Sequence, residues 1–169
     1  MSEQMAKSIS AEEHQGDEYL TFISGSESYG VDILRVQEIR GWEVVTRIPN
    51  SPSYVRGVLN LRGAIVPVFD LRERIGLAPI DYSKETVVVV LRVNNQVGER
   101  SMGIVVDAVS DVLNTHAESI RNTPKFSHDI ATEYISGLAE SEGNMVMLLD
   151  VDKLLNYDVE LERSDVEEA

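Results

Sequence analysis

The amino-acid sequence predicts an all-β protein made of two barrels of about five strands each, related by an internal duplication. Three observations predict this fold. Two blocks of sequence recur in the same order, short apolar strands alternate with polar turns, and the periodicity of long helices is scarce. A chain of 169 residues is long enough for one domain or for two small lobes that share a core.

The duplication is clearest in two stretches that lie 80 positions apart. Residues 54–76 read YVRGVLNLRGAIVPVFDLRERIG, and residues 134–156 read YISGLAESEGNMVMLLDVDKLLN. A second block, at residues 29–39 and 102–112, repeats with an offset of 73, so copy two carries about seven extra residues before residue 134. Chance similarity of short β-rich segments is the alternative, and two matches in one order argue against it. Identical pairs include Tyr54/Tyr134, Gly57/Gly137, Gly63/Gly143, Asp70/Asp150, Gly30/Gly103 and Val36/Val109.

Each copy reads as two hairpins in the same order. The first is EYLTFI–SGSES–YGVDIL (residues 18–34) in copy one and TVVVVLRV–NNQVGER–SMGIVVDAV (residues 86–109) in copy two. The second is GVLNL–RG–AIVPVF (residues 57–69) in copy one and ISGLAE–SEGN–MVMLL (residues 135–149) in copy two. Short strands every 8–12 residues favour small barrels, and we expect two barrels of about five strands, each tied by segments of the other.

Three residues in the second hairpins predict local backbone features. Gly63 and Gly143 fall where a tight turn needs positive φ. Pro67, the counterpart of Met147, has no N–H to donate to a ladder. We therefore expect the strand that contains Pro67 to lie at an edge or to be bulged there, with the edge open to a partner.

Two aspartates follow the second hairpins. Asp70 begins DLRERIG and Asp150 begins DVDKLLN, and Asp70 with Glu73 has the spacing of a capping box, so both predict the N-cap of a short helix. A paired-carboxylate acid site between the lobes is the alternative. It would favour small residues after each aspartate, whereas bulky Leu71 and Val151 are found there.

The formal net charge is −14, and the two ends of the chain are acidic and poor in apolar residues. We expect disordered acidic tails at 1–17 and 158–169 around a domain at 18–157, with lobe one at approximately 18–80 and lobe two at approximately 84–157. This charge argues against nucleic acid or anionic lipid as the main partner. No apolar run is long enough to cross a bilayer, so we expect no direct membrane insertion.

The sequence offers no catalytic constellation. It has no cysteine, which excludes disulfides, thiolate zinc sites and cysteine nucleophiles and suits a reducing cytoplasm. Its three histidines, His14, His116 and His128, lack metal spacing and read as solvated loop residues. We therefore predict a binding protein without catalytic residues, cofactor or metal.

Arginine is distributed unequally between the copies. Residues 54–76 carry a net charge of +2, and residues 134–156 carry −3. Arginine favours bidentate pairing with carboxylates at protein interfaces, so the arginines of copy one predict a contact site, with Arg62 on the NLRGA turn as the strongest candidate. A solvated face that only keeps the chain soluble is the alternative. Residues 35–76 contain seven arginines and no lysine: Arg35, Arg40, Arg47, Arg56, Arg62, Arg72 and Arg74.

Residues 29–72, YGVDILRVQEIRGWEVVTRIPNSPSYVRGVLNLRGAIVPVFDLR, closely resemble the bacterial chemotaxis coupling proteins of the CheW family. NLRG-x-I-V-P with an upstream V-x-E-I-R is a specific signature, and the resemblance covers about residues 18–157. It implies two intertwined five-stranded SH3-like barrels with short helices, one of them near the C-terminus. It also implies a cytoplasmic, non-enzymatic adaptor, recruited to membrane-associated receptor arrays, that couples transmembrane chemoreceptors to the histidine kinase CheA.

The resemblance also implies partner-contact residues. The cytoplasmic tip of a methyl-accepting chemoreceptor, a helical hairpin, would place apolar side chains in a groove between the lobes. The regulatory domain of CheA would meet this protein barrel to barrel. For the apolar residues, packing in the core is the alternative. The contact residues are Val36, Glu38, Ile39, Gly57 and Arg62 in lobe one and Gly103, Val109, Val112 and Gly137 in lobe two.

Two other functions stay open from the sequence. One is a pseudo-dimeric acid hydrolase using Asp70 and Asp150, which requires their carboxyl groups to face one another. The other is a CheW-like scaffold for a receptor–kinase pathway outside chemotaxis. CheW-like modules also occur inside CheA or fused to a receiver domain, but no ATP-binding or phosphoacceptor segment is present here.

Overall fold

The computed structural model describes residues 18–95, 98–122 and 133–156. The predicted tails, His14 and His128 lie outside these residues. In the described part of the chain, the strands are accompanied by the short helices α1 (Leu71–Arg74) and α2 (Val151–Leu154) and by the 3₁₀ turns Ile33–Arg35 and Ala117–Ser119. The strands in the described part of the chain are β1 (Glu18–Ser24), β2 (Glu27–Asp32), β3 (Val36–Gly41), β4 (Val55–Leu61), β5 (Ala64–Asp70), β6 (Val87–Asn95), β7 (Gly98–Val106), β8 (Ala108–Asn114), β9 (Ile135–Ser141) and β10 (Asn144–Leu149).

The strands form two five-stranded sheets of corresponding order. Barrel I has the order β3-β6-β7-β5-β4, and barrel II has the order β8-β1-β2-β10-β9. Barrel I contains the first hairpin of copy two (β6 and β7) and three strands of copy one. Barrel II contains the first hairpin of copy one (β1 and β2) and three strands of copy two. The predicted fold, two intertwined five-stranded barrels from a duplication, is therefore confirmed, and the sequence copies do not coincide with the barrels.

The exchanged hairpins join their barrels through short parallel ladders. In barrel I, Val68 of β5 pairs with Gly103 of β7, and in barrel II Leu148 of β10 pairs with Gly30 of β2. A Cβ on Gly103 would lie 2.9 Å from Cγ1 of Val88, and one on Gly30 would lie 3.1 Å from Cδ2 of Leu148. A larger residue would push these neighbours apart, which explains why glycine occurs at this position in both copies.

The largest hydrophobic cluster lies between the barrels. It combines residues from both sheets, with the rings of Phe22 and Phe69 fully buried. Each barrel also has a small interior cluster, which contains Val68 and Val90 in barrel I and Val146 and Leu148 in barrel II. Because most of the buried apolar residues belong to the cluster that combines both sheets, the two barrels share one main core.

The hairpin between β4 and β5 and the hairpin between β9 and β10 have matching tight turns. Arg62 and Gly63 have φ of 53° and 88°, and Glu142 and Gly143 have φ of 51° and 82°. Positive φ at both central residues is the property of a type I′ turn. The prediction of positive φ at the two glycines is confirmed.

The prediction that Pro67 marks an edge strand is wrong, because β5 lies between β4 and β7. Pro67 faces Val58 on β4, and β7 pairs with β5 only from Val68 onward. The missing N–H therefore lies just before the parallel ladder and costs no ladder bond. The edge strands of this sheet are β3 and β4, and the irregularity of the β4–β5 pair lies on β4 between Val55 and Gly57, not at Pro67.

The prediction that Asp70 and Asp150 are N-caps is confirmed. The carboxylate of Asp70 accepts a hydrogen bond from the N–H of Glu73, and that of Asp150 accepts one from the N–H of Lys153. The backbone N–H of each aspartate donates to a tyrosine carbonyl, of Tyr54 in one copy and its counterpart in the other, at 2.7 Å. The two short helices therefore start in the same way.

Candidate partner-binding surface

Three of the seven arginines of copy one bind groups that belong to copy two. Arg35 donates from both terminal nitrogens to the carboxylate of Asp152, at 2.9 and 2.8 Å. The same carboxylate accepts the N–H of Asn94 at 2.8 Å. The hydrogen bond to Asp152 is the largest contribution that raises the pKa of Arg35 above its ordinary value. This arginine joins copy one to copy two.

Arg72 makes the second such bridge. Its Nε and Nη2 atoms lie 3.0 and 2.7 Å from the two carboxylate oxygens of Asp107, which also accepts the N–H of Gly25 at 2.9 Å. Burial alone would raise the pKa of Asp107, but the hydrogen bonds from Arg72 and Gly25 hold that pKa below its ordinary value. The bond to Asp107 in turn raises the pKa of Arg72.

Arg74 packs at the centre of the molecule. Its guanidinium lies 4.4 Å from the ring centroid of Tyr54 and 5.1 Å from that of Tyr134, and its Nε donates to the carbonyl of Leu154 at 2.8 Å. Tyr54 and Tyr134 are the recurring tyrosines of the duplication. The half-buried Arg74 therefore makes a cation–π contact between the copies.

Arg62, at the tip of the hairpin between β4 and β5, extends into solvent. Its side chain is 87% exposed, and its Nη2 lies 4.0 Å from a carboxylate oxygen of Glu38 on β3. Arg40 lies 3.9 Å from the same oxygen and pairs more closely with Glu43. The hairpin tip and strand β3 thus carry one group of alternating charges at the surface of barrel I.

Exposed apolar side chains occur on and after β3 and on its counterpart β8. Ile39 on β3 is 45% exposed, and Val44, which follows that strand, is 91% exposed. On β8, the strand of barrel II that corresponds to β3, Val112 is 42% exposed. Val36 and Val109, at the start of these two strands, are half-buried against the cluster between the barrels. The four apolar residues predicted for a groove therefore divide into two exposed and two half-buried.

The three glycines predicted as contact residues are buried. Gly57 has φ of +145°, and a Cβ there would lie 2.3 Å from the carbonyl oxygen of Thr46. A Cβ on Gly137 would lie 2.6 Å from Cγ2 of Ile120. Together with Gly103, these residues shape the strands behind the surface, because they allow close approach of neighbouring chain segments.

Asp70 and Asp150, the proposed acid pair of the hydrolase alternative, each cap a separate helix. The side chain of Asp70 accepts from the hydroxyl of Tyr82 at 2.5 Å in addition to capping α1, and the residue is 2% exposed. Burial, and next this hydrogen bond, raise the pKa of Tyr82. Within residues 18–95, 98–122 and 133–156, no group of three metal-ligating side chains occurs and no helix has the length and apolarity to span a membrane.

One cluster gave no recognisable signal in the sequence. Trp42 and Tyr82 pack edge to face with centroids 4.4 Å apart, and the guanidinium of Arg56 lies 5.3 Å from the Tyr82 ring. Arg56 also pairs with Glu73 at 3.8 Å beside a cleft of about 420 Å³ that Arg47 lines. The residues are far apart in sequence, and only their aromatic and arginine composition could have suggested a cluster.

The fold is a duplicated module of two SH3-like barrels in which the two copies exchange their first hairpins. Residues 18–159 match the family described as the CheW-like domain. The chain belongs to this family, which confirms the resemblance found in the sequence.

Relatives and a solved structure agree with this assignment. The chain is 50% identical over 146 residues to the chemotaxis protein CheW of Klebsiella aerogenes, covering 86% of each chain. It is 38% identical over 144 residues to a probable chemotaxis protein CheW of Rhizobium etli, covering 85% of this chain and 90% of that one. The crystal structure of the scaffolding protein TtCheW from Thermoanaerobacter tengcongensis superposes with a TM-score of 0.74 at 30% identity, covering 83% and 88% of the two chains.

Proposed function

We propose that this protein is a chemotaxis coupling adaptor that acts without catalysis and links chemoreceptors to the histidine kinase CheA. Membership of the CheW-like family supports the chemotaxis role. The observation that carries the contact mechanism is the exposed Arg62 at the hairpin tip of barrel I, which lies 4.0 Å from Glu38 of β3, a strand that also carries the exposed Ile39. Buried aromatic or arginine anchors beside apolar area are typical of protein-binding hot spots.

The receptor contact is assigned to strands β3 and β8 and the residues around them. A helical hairpin presents apolar side chains at every third or fourth position, which suits a shallow apolar surface rimmed by charge. Ile39 and Val112 offer exposed side chains, whereas Val36 and Val109 contribute through their exposed parts. Gly57, Gly103 and Gly137 act on this contact only through the strand geometry that they permit.

The kinase contact is assigned to another barrel face, which meets the regulatory domain of CheA barrel to barrel. Two unlike contacts on one adaptor propagate into rings or extended arrays. Each contact can then be of micromolar affinity while the assembly holds through multivalency. The protein would work in the cytoplasm and reach the membrane only through its receptors.

A reconstitution tests this proposal. Receptor signalling domains and CheA are mixed with ATP, with and without the protein, and kinase phosphorylation and co-sedimentation are measured. We expect both to rise when the protein is added. Co-sedimentation with neither receptor nor CheA would overturn the proposal and favour a CheW-like scaffold of another receptor–kinase pathway, which a pull-down from cell lysate would then identify.

Arg62→Asp is the sharpest variant for the contact surface. We expect at least about a tenfold loss of receptor or kinase capture, since about 1.4 kcal/mol corresponds to tenfold in affinity and one charge-assisted contact exceeds that. Lys153→Asp is the matched control, because it makes the same change of charge at an exposed position of α2. Full capture by a folded Arg62→Asp protein would remove Arg62 from the surface.

A further inference from the structure

We propose that two arginine–aspartate bridges of opposite polarity determine which halves of this chain pair with one another. They favour the pairing of copy one with copy two and oppose the pairing of either copy with its own kind. This inference concerns assembly of the fold and does not depend on the proposed function.

Both bridges lie where the chain passes from one barrel to the other. Arg35 ends the 3₁₀ turn between β2 of barrel II and β3 of barrel I, and Asp107 lies between β7 of barrel I and β8 of barrel II. Each crossover is fastened to the short helix of the other copy. Arg35 binds Asp152 of α2, and Asp107 binds Arg72 of α1.

The bridges occupy equivalent places in the duplication but have inverted charges. Arg72 and Asp152 are the same position of the 80-residue repeat. Arg35 and Asp107 lie on equivalent crossovers: when the copies are aligned with the offset of 73, the two residues are one position apart. Copy one therefore supplies the cation at both bridges, and copy two supplies the anion at both.

This arrangement penalises the pairing of like copies. If copy one paired with copy one of another chain, Arg35 of one chain would meet Arg72 of the other. If copy two paired with copy two of another chain, Asp107 of one chain would meet Asp152 of the other. Like charges at hydrogen-bond distance repel strongly at partly buried sites, where screening is weaker than in water. The side chains of Arg72 and Asp107 are 15% and 22% exposed.

Arg74 adds an independent reason. Its counterpart in copy two is Leu154, and the two are in contact through the hydrogen bond to the Leu154 carbonyl, so this contact lies near the axis that relates the copies. Pairing two halves of type one would bring two Arg74 side chains together there. The shared barrels and the shared hydrophobic cluster would otherwise allow such an exchange, which is a known route to domain-swapped dimers.

The test exchanges the charges within a bridge of the full-length protein. Arg72→Asp with Asp107→Arg keeps an opposite pair in place, but each copy now carries one charge of each sign and becomes complementary to itself. Arg35→Asp with Asp152→Arg does the same at the other bridge. In the variant with all four substitutions, copy one supplies both anions and copy two supplies both cations, so each copy again repels its own kind. This variant is the matched control.

Each protein is unfolded in denaturant and refolded over a range of concentrations, and its mass distribution is measured by size-exclusion chromatography with light scattering. We expect either double exchange to increase the fraction of dimers and larger species at least about twofold over wild type, and the fourfold exchange to return to the wild-type distribution. Circular dichroism verifies folding, and either double exchange suffices if the other does not fold. Wild-type distributions for both double exchanges at every concentration, or failure of both to form any folded species, would overturn the proposal.

Discussion

The two hairpin tips of the molecule have the same backbone and opposite charge. Arg62-Gly63 and Glu142-Gly143 both adopt positive φ, yet one tip presents a cation and the other an anion. A turn constrains the backbone of its central residues but leaves an outward side chain free. Duplication therefore preserved the geometry on which packing depends, while exposed side chains were free to diverge between the copies.

The comparison of the bridges qualifies this conclusion. Arg72 and Asp152 also differ in charge at one repeated position, but both point into the molecule and bind the other copy. Divergence of charge thus has two outcomes here: a surface contact at the hairpin tip, and complementary pairing at the crossovers. Substitutions at the repeated positions should distinguish residues that support the fold from residues that only face solvent, with expected losses of stability that fall from the packed glycines to the hairpin tips.

Substitution of repeated glycines separates tight packing from turn geometry. Gly57→Ala places a Cβ 2.3 Å from the Thr46 carbonyl oxygen at φ +145°, and we expect it to lower the free energy of unfolding by about 3 kcal/mol or more. Gly143→Ala has φ +82° and open space around the Cβ, so we expect a cost of about 1 kcal/mol. Urea denaturation measures both. Equal losses would mean that backbone strain, not the clash, dominates at Gly57.

Removal of the two bridging carboxylates compares the crossovers. Asp107→Ala leaves Arg72 largely buried without its partner, and we expect a loss of about 2 kcal/mol. Asp152→Ala breaks the more exposed bridge, with side chains 28% and 33% exposed, and we expect about 1 kcal/mol after solvent screening. Chemical denaturation of each variant tests this order, and a larger loss for Asp152→Ala would contradict it.

The acid dependence of stability sharpens the comparison. Because the pKa of Asp107 is lower in the folded protein than its ordinary value of 3.8, its contribution is complete above that value and is lost as pH falls through the lowered pKa. Asp107→Asn should therefore differ most from wild type near neutral pH, and the difference should shrink at lower pH. Denaturant titrations over this acid range measure the difference, and a constant gap would show that the carboxylate charge is not responsible.

Exchange of charge at the hairpin tips should change stability least. Arg62→Glu and Glu142→Arg each alter an exposed side chain without changing the turn, so we expect shifts of less than about 0.5 kcal/mol. Thermal melts at equal salt concentration measure this. A large loss for Arg62→Glu would mean that its contact with Glu38 supports the fold as well as the surface.

Local sequence patterns were sufficient for much of the architecture. The turn at Gly63, the caps at Asp70 and Asp150 and the four hairpins depend on neighbouring residues and are all present in the structure, whereas β3 and β8 were not assigned from the sequence. The edge assignment of Pro67 was wrong, because a proline shows only that one N–H is missing. Which strand lies beside it depends on the parallel ladder of β5 with β7, a long-range pairing.

The candidate site was less predictable. Arg62 was identified as a hairpin-tip residue, and its exposure follows from the turn. Arg35, Arg72 and Arg74 belong to the same run of arginines, and nothing in that run distinguishes an arginine at the surface from one between the copies. Their partners lie far along the chain: Arg35 and Asp152 are 117 positions apart, and Arg72 and Asp107 are 35 apart.

By itself, the sequence determined that this protein is a duplicated β protein of the CheW-like family with capped helices and glycine turns, because those features depend on residues close together in the chain. Only the tertiary structure decided that the copies exchange their first hairpins and that three arginines fasten one copy to the other. The physical reason is that the type of a residue shows only that its charged or apolar side chain requires a partner, whereas long-range packing decides which residue that partner is.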